Sequence, residues 1–194
     1  HYCWLITGSL INSEELKDRL NEESLEKLLN RLDSCARATA KLYGGQRVEG
    51  DESTLHLCMR SNDCSKQHLL VCLMLTYSLQ QLVKQLSSRL SIKIEMTWIL
   101  LGKKIASTPI FSFHEDMAQL KKSSLDQAAK LKNEMIAIQT SEFSIDELST
   151  IARFNHLEEN CFSLKAFPIE RQELLNRQIA HLYHACFAEE INFP

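Results

Sequence analysis

Between Leu25 and Met59 the chain changes its periodicity, and that change limits what can be built around it. Leu25, Leu28, Leu29, Leu32, Cys35, Ala36 and Thr39 recur at the spacing of a one-faced helix that runs to Tyr43. Gly44-Gly45 ends it, because glycine accepts the left-handed backbone that a helix C-terminus needs. After a short strand, Gly50-Asp51 supplies a tight reversal. Leu55, Leu57 and Met59 then alternate with Thr54, His56 and Cys58, the period of a half-buried strand. The product is a helix feeding a hairpin whose turn carries an acid.

The flanks repeat the theme. Tyr2 to Thr7 is apolar and rich in β-favouring residues, which predicts a central strand. Asn12 or Ser13 is placed to cap the helix that follows, with Glu14 and Glu15 in its first turn. Beyond the hairpin, Asp63 or Ser65 caps a long helix from about Ser65 to Leu90, whose wide apolar stripe requires burial on more than one side. Ile92, Ile94, Met96, Trp98 and Leu100 alternate as a strand that stops before Gly102. A loop is expected from Ser107 to His114, with an extended piece at Ile110 to Phe113, then a helix from Glu115 to Glu134. A strand from Met135 to Ile138, a short helix from Ile145 to Ala152, strands at Phe154 to Leu157 and Cys161 to Phe167, and a last helix from Pro168 to about Phe187 complete the reading.

The order β α β β α β α β α β β α holds two βαβ-like halves around an antiparallel hairpin. It predicts an α/β (α+β) domain with a ferredoxin-like βαββαβ core, a mixed sheet covered by helices. The 194 residues suffice for one domain spanning 1–194. Because the chain starts at His1, we expect it to be a fragment of something longer.

Composition excludes several classes. A net charge of −3 gives no basic face for nucleic acid and none for an anionic membrane. The seven cysteines are odd in number and scattered, without a Cys-x-x-Cys, which favours a reducing, cytoplasmic setting over a disulfide framework. The longest apolar run, Leu69 to Leu75, is far shorter than the roughly 20 residues of a membrane span.

Four segments together resemble the catalytic domain of class III nucleotidyl (adenylate/guanylate) cyclases. They are Cys3 to Thr7 followed by a long helix, and Tyr43-Gly44-Gly45 followed by Gly50-Asp51. The other two are Leu125-Asp126-Gln127-Ala128-Ala129-Lys130-Leu131, similar to the family's Val-Asn-x-Ala-Ala-Arg-Leu helix, and Phe162 to Phe167, similar to its late Leu-Lys-Gly-Phe strand. Gly44-Gly45 and Gly50-Asp51-Glu52 also contain the letters of a diguanylate cyclase signature. There the run is contiguous, whereas four residues interrupt it here.

The resemblance implies two metal ions on two carboxylates, one at the end of the first strand and one in the hairpin turn. Asp51 falls on the second position. Thr7 falls on the first, and a neutral hydroxyl is a poor anchor for magnesium. The resemblance also implies base, ribose and phosphate contacts from the opposite protomer, at Arg47, Asp126 and Lys130. Arg47 and Lys130 keep the charge with altered donor geometry, and Asp126 adds negative charge beside a triphosphate. Both half-sites are therefore degenerate, and two identical chains do not rebuild a complete one.

The expectation is a catalytically inactive cyclase-like domain that acts as a dimerisation or regulatory module of a cytoplasmic signalling protein, or of the cytoplasmic part of a membrane protein. Its partners would be a second copy and other domains of its own chain, with no cofactor and no membrane contact by this segment. The alternatives are an active cyclase with an unorthodox site, using Mg or Mn with ATP or GTP, and a domain that holds a nucleotide at Arg47 and Lys130 without turnover. Other constellations are weaker. His181, His184 and Cys186 lack the register of a zinc site. Ser9, Ser13 and Ser53 lack a histidine–acid pattern, and Cys58, Cys64 and Cys72 read as core thiols.

Overall fold

The computed structural model describes residues 1–105 and 110–187, with the side chains of 110–114 left aside. The elements are β1 (Tyr2–Leu10), α1 (Ser13–Arg19), α2 (Glu22–Tyr43), β2 (Gln46–Val48), β3 (Thr54–Ser61), α3 (Lys66–Leu90), β4 (Met96–Lys104), α4 (Ile110–Ala128), β5 (Ile136–Gln139), α5 (Ile145–Leu148), β6 (Arg153–Glu158), β7 (Cys161–Ala166) and α6 (Ile169–Phe187). The seven strands form one sheet in the order β2-β3-β1-β4-β5-β7-β6. Every pairing is antiparallel except β4 with β5. The first four strands, with α2 and α3, make the predicted βαββαβ core.

The central strands β1, β3 and β4 are buried on both faces, so β3 is not the half-buried strand that its alternation predicts. Trp4 and Ile6 of β1, Leu57 and Met59 of β3, and Trp98 and Leu100 of β4 point to one side, where α2, α3 and α6 lay Leu28, Leu32, Leu73, Leu79, Leu175 and Ile179 against them. Cys3, Leu5, Cys58, Ile99 and Leu101 point to the other, under Met117, Leu120 and Ala128 of α4. Gly8 is required on β1, since a Cβ there would stand 2.4 Å from the Trp98 ring. α3 is long and apolar enough to cross a membrane by length and composition, but it is mostly buried inside the fold, which is the signature of a core helix.

Gly44 ends α2 at φ 79°, with its N–H on the Ala40 carbonyl, as predicted. Elsewhere the boundaries moved. The first helical stretch is two helices, because Leu20 is extended and the Asn21 side chain starts a second helix by accepting from Ser24 N. Asn12 flanks α1 without capping it; its amide instead donates to Lys93 O at 2.7 Å and accepts from Glu95 N at 3.0 Å. With Ser87 Oγ on Ile92 O and Ile94 N, these bonds hold 92–95 as a loop. β4 therefore begins at Met96 rather than Ile92.

The extended piece expected at Ile110 to Phe113 is the first turn of α4, and the predicted loop at 107–109 lies outside the described residues. The other end of that helix is shorter than predicted. Glu134 N and Met135 O are recruited by Met96 O and Trp98 N of β4, so the chain must leave the helix at Ala128 to reach the parallel pairing. α5 likewise stops at Leu148, although its start carries a full capping box between Ser144 and Glu147.

Candidate functional site

The end of β1 and the tip of the β2–β3 hairpin converge, tied by Leu10 N donating to Ser53 O at 2.8 Å. Thr7 and Asp51 both belong to this corner, but their side chains do different things. Thr7 is fully buried and lies directly across from His56 in the β1–β3 register. Its Oγ1 is 2.8 Å from His56 Nδ1, a hydrogen bond in which either atom donates according to the imidazole tautomer.

His56 is itself buried. Burial first, and then the positive charges of Lys121 and Arg47, push its pKa down to about 4, with Asp51 opposing. The ring is neutral at neutral pH. Where the resemblance implies a carboxylate, the protein thus has an uncharged hydroxyl–imidazole pair.

Asp51 turns back on its own loop. Its Oδ1 accepts from Ser53 N at 2.9 Å, Ser53 Oγ at 2.9 Å and Thr54 Oγ1 at 3.0 Å, an Asx-turn that shapes the reversal. Burial would raise its pKa, but these hydrogen bonds outweigh that and hold the carboxyl below its ordinary value. It is an ionised acid, with one oxygen already saturated by local donors.

Arg47 is the better-anchored residue of the corner, its side chain only 14% exposed. Its Nε donates to Asp33 Oδ1 of α2 at 2.8 Å, and its Nη1 donates to His56 O at 2.9 Å and to Val48 O. Asp33 also takes Arg37, and the two guanidiniums overcome burial to lower its pKa. Arg47 therefore fastens β2 and β3 to α2, and swinging it onto a base would break that set.

Asp126 and Lys130 lie away from this corner. Asp126 is in the last turn of α4 and lines a cavity of about 430 Å³ with Tyr2, Gln139 and Glu142, by the start of β1 rather than its end. Lys130 is past the helix, in a turn, with its Nζ 4.0 Å from Glu158. The segment matched to a helix carrying both residues is split between a helix end and a turn.

Four features leave no local signal in the sequence. His56 partners Thr7 across 49 residues, which only strand register reveals. The positive charge of Lys121 on α4 acts on His56, and Asp33 of α2 is the counter-ion of Arg47. Further along the face that carries Thr7 and His56, the sulfurs of Cys3 and Cys58, which sit diagonally in the β1–β3 register, stand 2.7 Å apart in the layer beneath α4.

Against two divalent ions the donor set does not fit. A hard cation needs several oxygen ligands and net negative charge; here one acid faces two cations, a neutral imidazole and an occupied hydroxyl. Among the described residues no cluster of three or more His, Cys, Asp or Glu could hold a metal.

No family model matches the sequence, and no curated protein matches it. Solved structures do. The monomeric guanylyl cyclase domain of the RhoGC fusion protein from the aquatic fungus Blastocladiella emersonii superposes at TM-score 0.66, with 12% identity, over 86% of this chain and 96% of that one. The non-canonical dimeric form of that domain gives TM-score 0.64 and 13% identity over 86% and 97%. The adenylyl cyclase CyaB from P. aeruginosa gives TM-score 0.64 and 10% identity over 87% and 95%. The fold is that of the adenylyl and guanylyl cyclase catalytic domain, as the resemblance implied. At this identity the likeness is one of architecture.

Proposed function

We propose that this is a non-catalytic cyclase-fold domain, a module that works by associating with a second copy and with other domains of a longer signalling protein. The observation that carries the reading is the Thr7–His56 pair: the corner that would have to concentrate negative charge holds a buried neutral hydrogen bond instead. Magnesium or manganese would find one carboxylate there, and it is bonded into its own turn. No catalytic step is assigned to the chain. That the RhoGC domain of the same fold has been crystallised both as a monomer and as a non-canonical dimer supports self-association; light scattering at micromolar concentrations tests it.

The decisive assay is turnover. Incubated with ATP or GTP and Mg²⁺ or Mn²⁺, the purified domain should form no 3′,5′-cyclic nucleotide above a protein-free control. Steady product formation abolished by Asp51→Ala would overturn the reading in favour of an unorthodox cyclase. The lowered pKa of Asp51 is the feature that favours that second reading. Retained nucleotide binding without turnover would appear as a thermal-midpoint rise with ATP or GTP, since a ligand stabilises according to its occupancy.

A further inference from the structure

The seven cysteines are all reduced, and two of them meet in the middle of the sheet. Cys3 of β1 and Cys58 of β3 are 55 residues apart in sequence, and their thiols share a hydrogen bond with the sulfurs 2.7 Å apart. Both side chains point to the α4 side of the sheet. Cys3 faces Arg60 in the β1–β3 register and Cys58 faces Leu5, so the two cysteines sit on a diagonal of an antiparallel ladder that pairs Tyr2 through Ser9. Their spacing is set by paired strands, not by a loop. A disulfide needs its sulfurs about 2.05 Å apart, so closing one here moves them by less than about 0.7 Å.

Enclosure decides when such a bond can form. Cys3 is fully buried and Cys58 nearly so, in the layer they share with Met117 and Leu120 of α4. Buried thiols are inert toward outside reagents, whereas the same thiols are open in a chain on which α4 is not yet seated. We propose that Cys3 and Cys58 close a disulfide across β1 and β3 when the chain folds in the presence of a small-molecule disulfide such as oxidised glutathione, and that α4 then shields the bond from reductants. The bond ties the strand that carries Thr7 to the strand that carries His56, and so fixes the register on which their hydrogen bond depends. It is independent of whether the domain is catalytic.

The reaction balances by thiol–disulfide exchange. One cysteine, as its thiolate, attacks a sulfur of the small disulfide; that S–S bond breaks, one small thiol leaves with the electron pair, and a mixed disulfide forms. The second cysteine gives up its proton, attacks the protein sulfur of the mixed disulfide and expels the second small thiol. The chain loses two electrons and two protons, and the small disulfide gains them as two thiols. Because the bond closes a long loop of the unfolded chain, the oxidised protein is the more stable form.

The test is to refold the reduced, urea-denatured chain in a mixture of reduced and oxidised glutathione, alkylate the remaining thiols and map peptides without reduction. The expected major product joins the peptides of Cys3 and Cys58 and leaves the other cysteines alkylated. Dithiothreitol should reduce that bond at least about tenfold more slowly in the native protein than in urea. The thermal midpoint of the oxidised wild type should exceed that of the reduced wild type, and the difference should vanish in Cys3→Ser. Recovery of Cys3 and Cys58 as free thiols, whether every cysteine stays reduced or another pair bridges instead, would overturn the proposal. Equal reduction rates in native and denatured protein would overturn the shielding by α4. The map and the reduction rates are read on the wild type, so they decide even if Cys3→Ser does not fold.

Discussion

The two faces of the sheet are made by the same strands, and the residues that those strands send to each face differ. On β1, Trp4 and Ile6 point toward α2 and α3, while Cys3, Leu5 and Thr7 point toward α4. The three-helix face is packed by leucine, isoleucine and two tryptophans. The single-helix face mixes aliphatics with Thr7, His56, Thr97 and Ser124, all buried. Hydrocarbon specifies a fold through volume and tolerates repacking, whereas a buried polar group is stabilised only where it finds a partner; Thr7 and His56 have each other, while the Thr97 and Ser124 hydroxyls have no hydrogen-bond partner among the described residues. The first face explains why the architecture is that of a cyclase domain at identities near 12%, and the second explains why its chemistry need not follow.

The contrast can be broken most forcefully from the three-helix side. Trp98→Ala empties a buried site pressed against Gly8 and should cost about 3–5 kcal/mol, read from urea denaturation midpoints. A cost below about 1 kcal/mol would mean that this face does not carry the fold.

The opposite face should respond to polarity at constant volume. Thr7→Val strands His56 Nδ1 without its partner and should cost about 1–3 kcal/mol. His56 adds a pH signature whose sign follows from its depressed pKa. The unfolded imidazole binds its proton near 6.5 and the folded one near 4, so its contribution is complete above 6.5 and is lost as pH falls through that window. Denaturation midpoints should drop between those pH values in the wild type and drop less in His56→Gln; equal slopes would show that the ring is not held neutral. His68, also lowered by burial, supplies part of the remaining slope with the same sign.

The smallest effect belongs to Asp51. Asp51→Ala removes an Asx-turn at an exposed loop and should cost about 1 kcal/mol or less, with no change in the midpoint shift produced by added Mn²⁺. A manganese-dependent stabilisation seen in the wild type and lost in this variant would give the acid a metal-binding role.

Period and punctuation made the fold legible. The 3.6-residue pattern of Leu25 to Thr39, the Gly44 stop and the alternation through Leu57 name the elements, and a βαββαβ order leaves few ways to stack them. Segments with equal local claims went unread. Ile92 and Ile94 alternate like a strand, yet Asn12, 81 residues before its partner Lys93, and Ser87 of the preceding helix hold this segment in a loop. The site divides in the same way. Thr7 and Asp51 are candidates by their places in a motif, but the partner of Thr7, the counter-ion of Arg47 and the charge of Lys121 on His56 are set by register and helix packing, which leave no local signal.

The sheet's borders limit how the domain can meet others. At one rim β2 offers only three residues, and at the other β6 departs from regular pairing at Arg153/Phe154 and again at His156/Glu158. Irregular or very short rims make poor templates for main-chain zippering. The association proposed above would then proceed by side-chain recognition over helices and loops, which favours closed, stoichiometric complexes over strand-by-strand polymerisation.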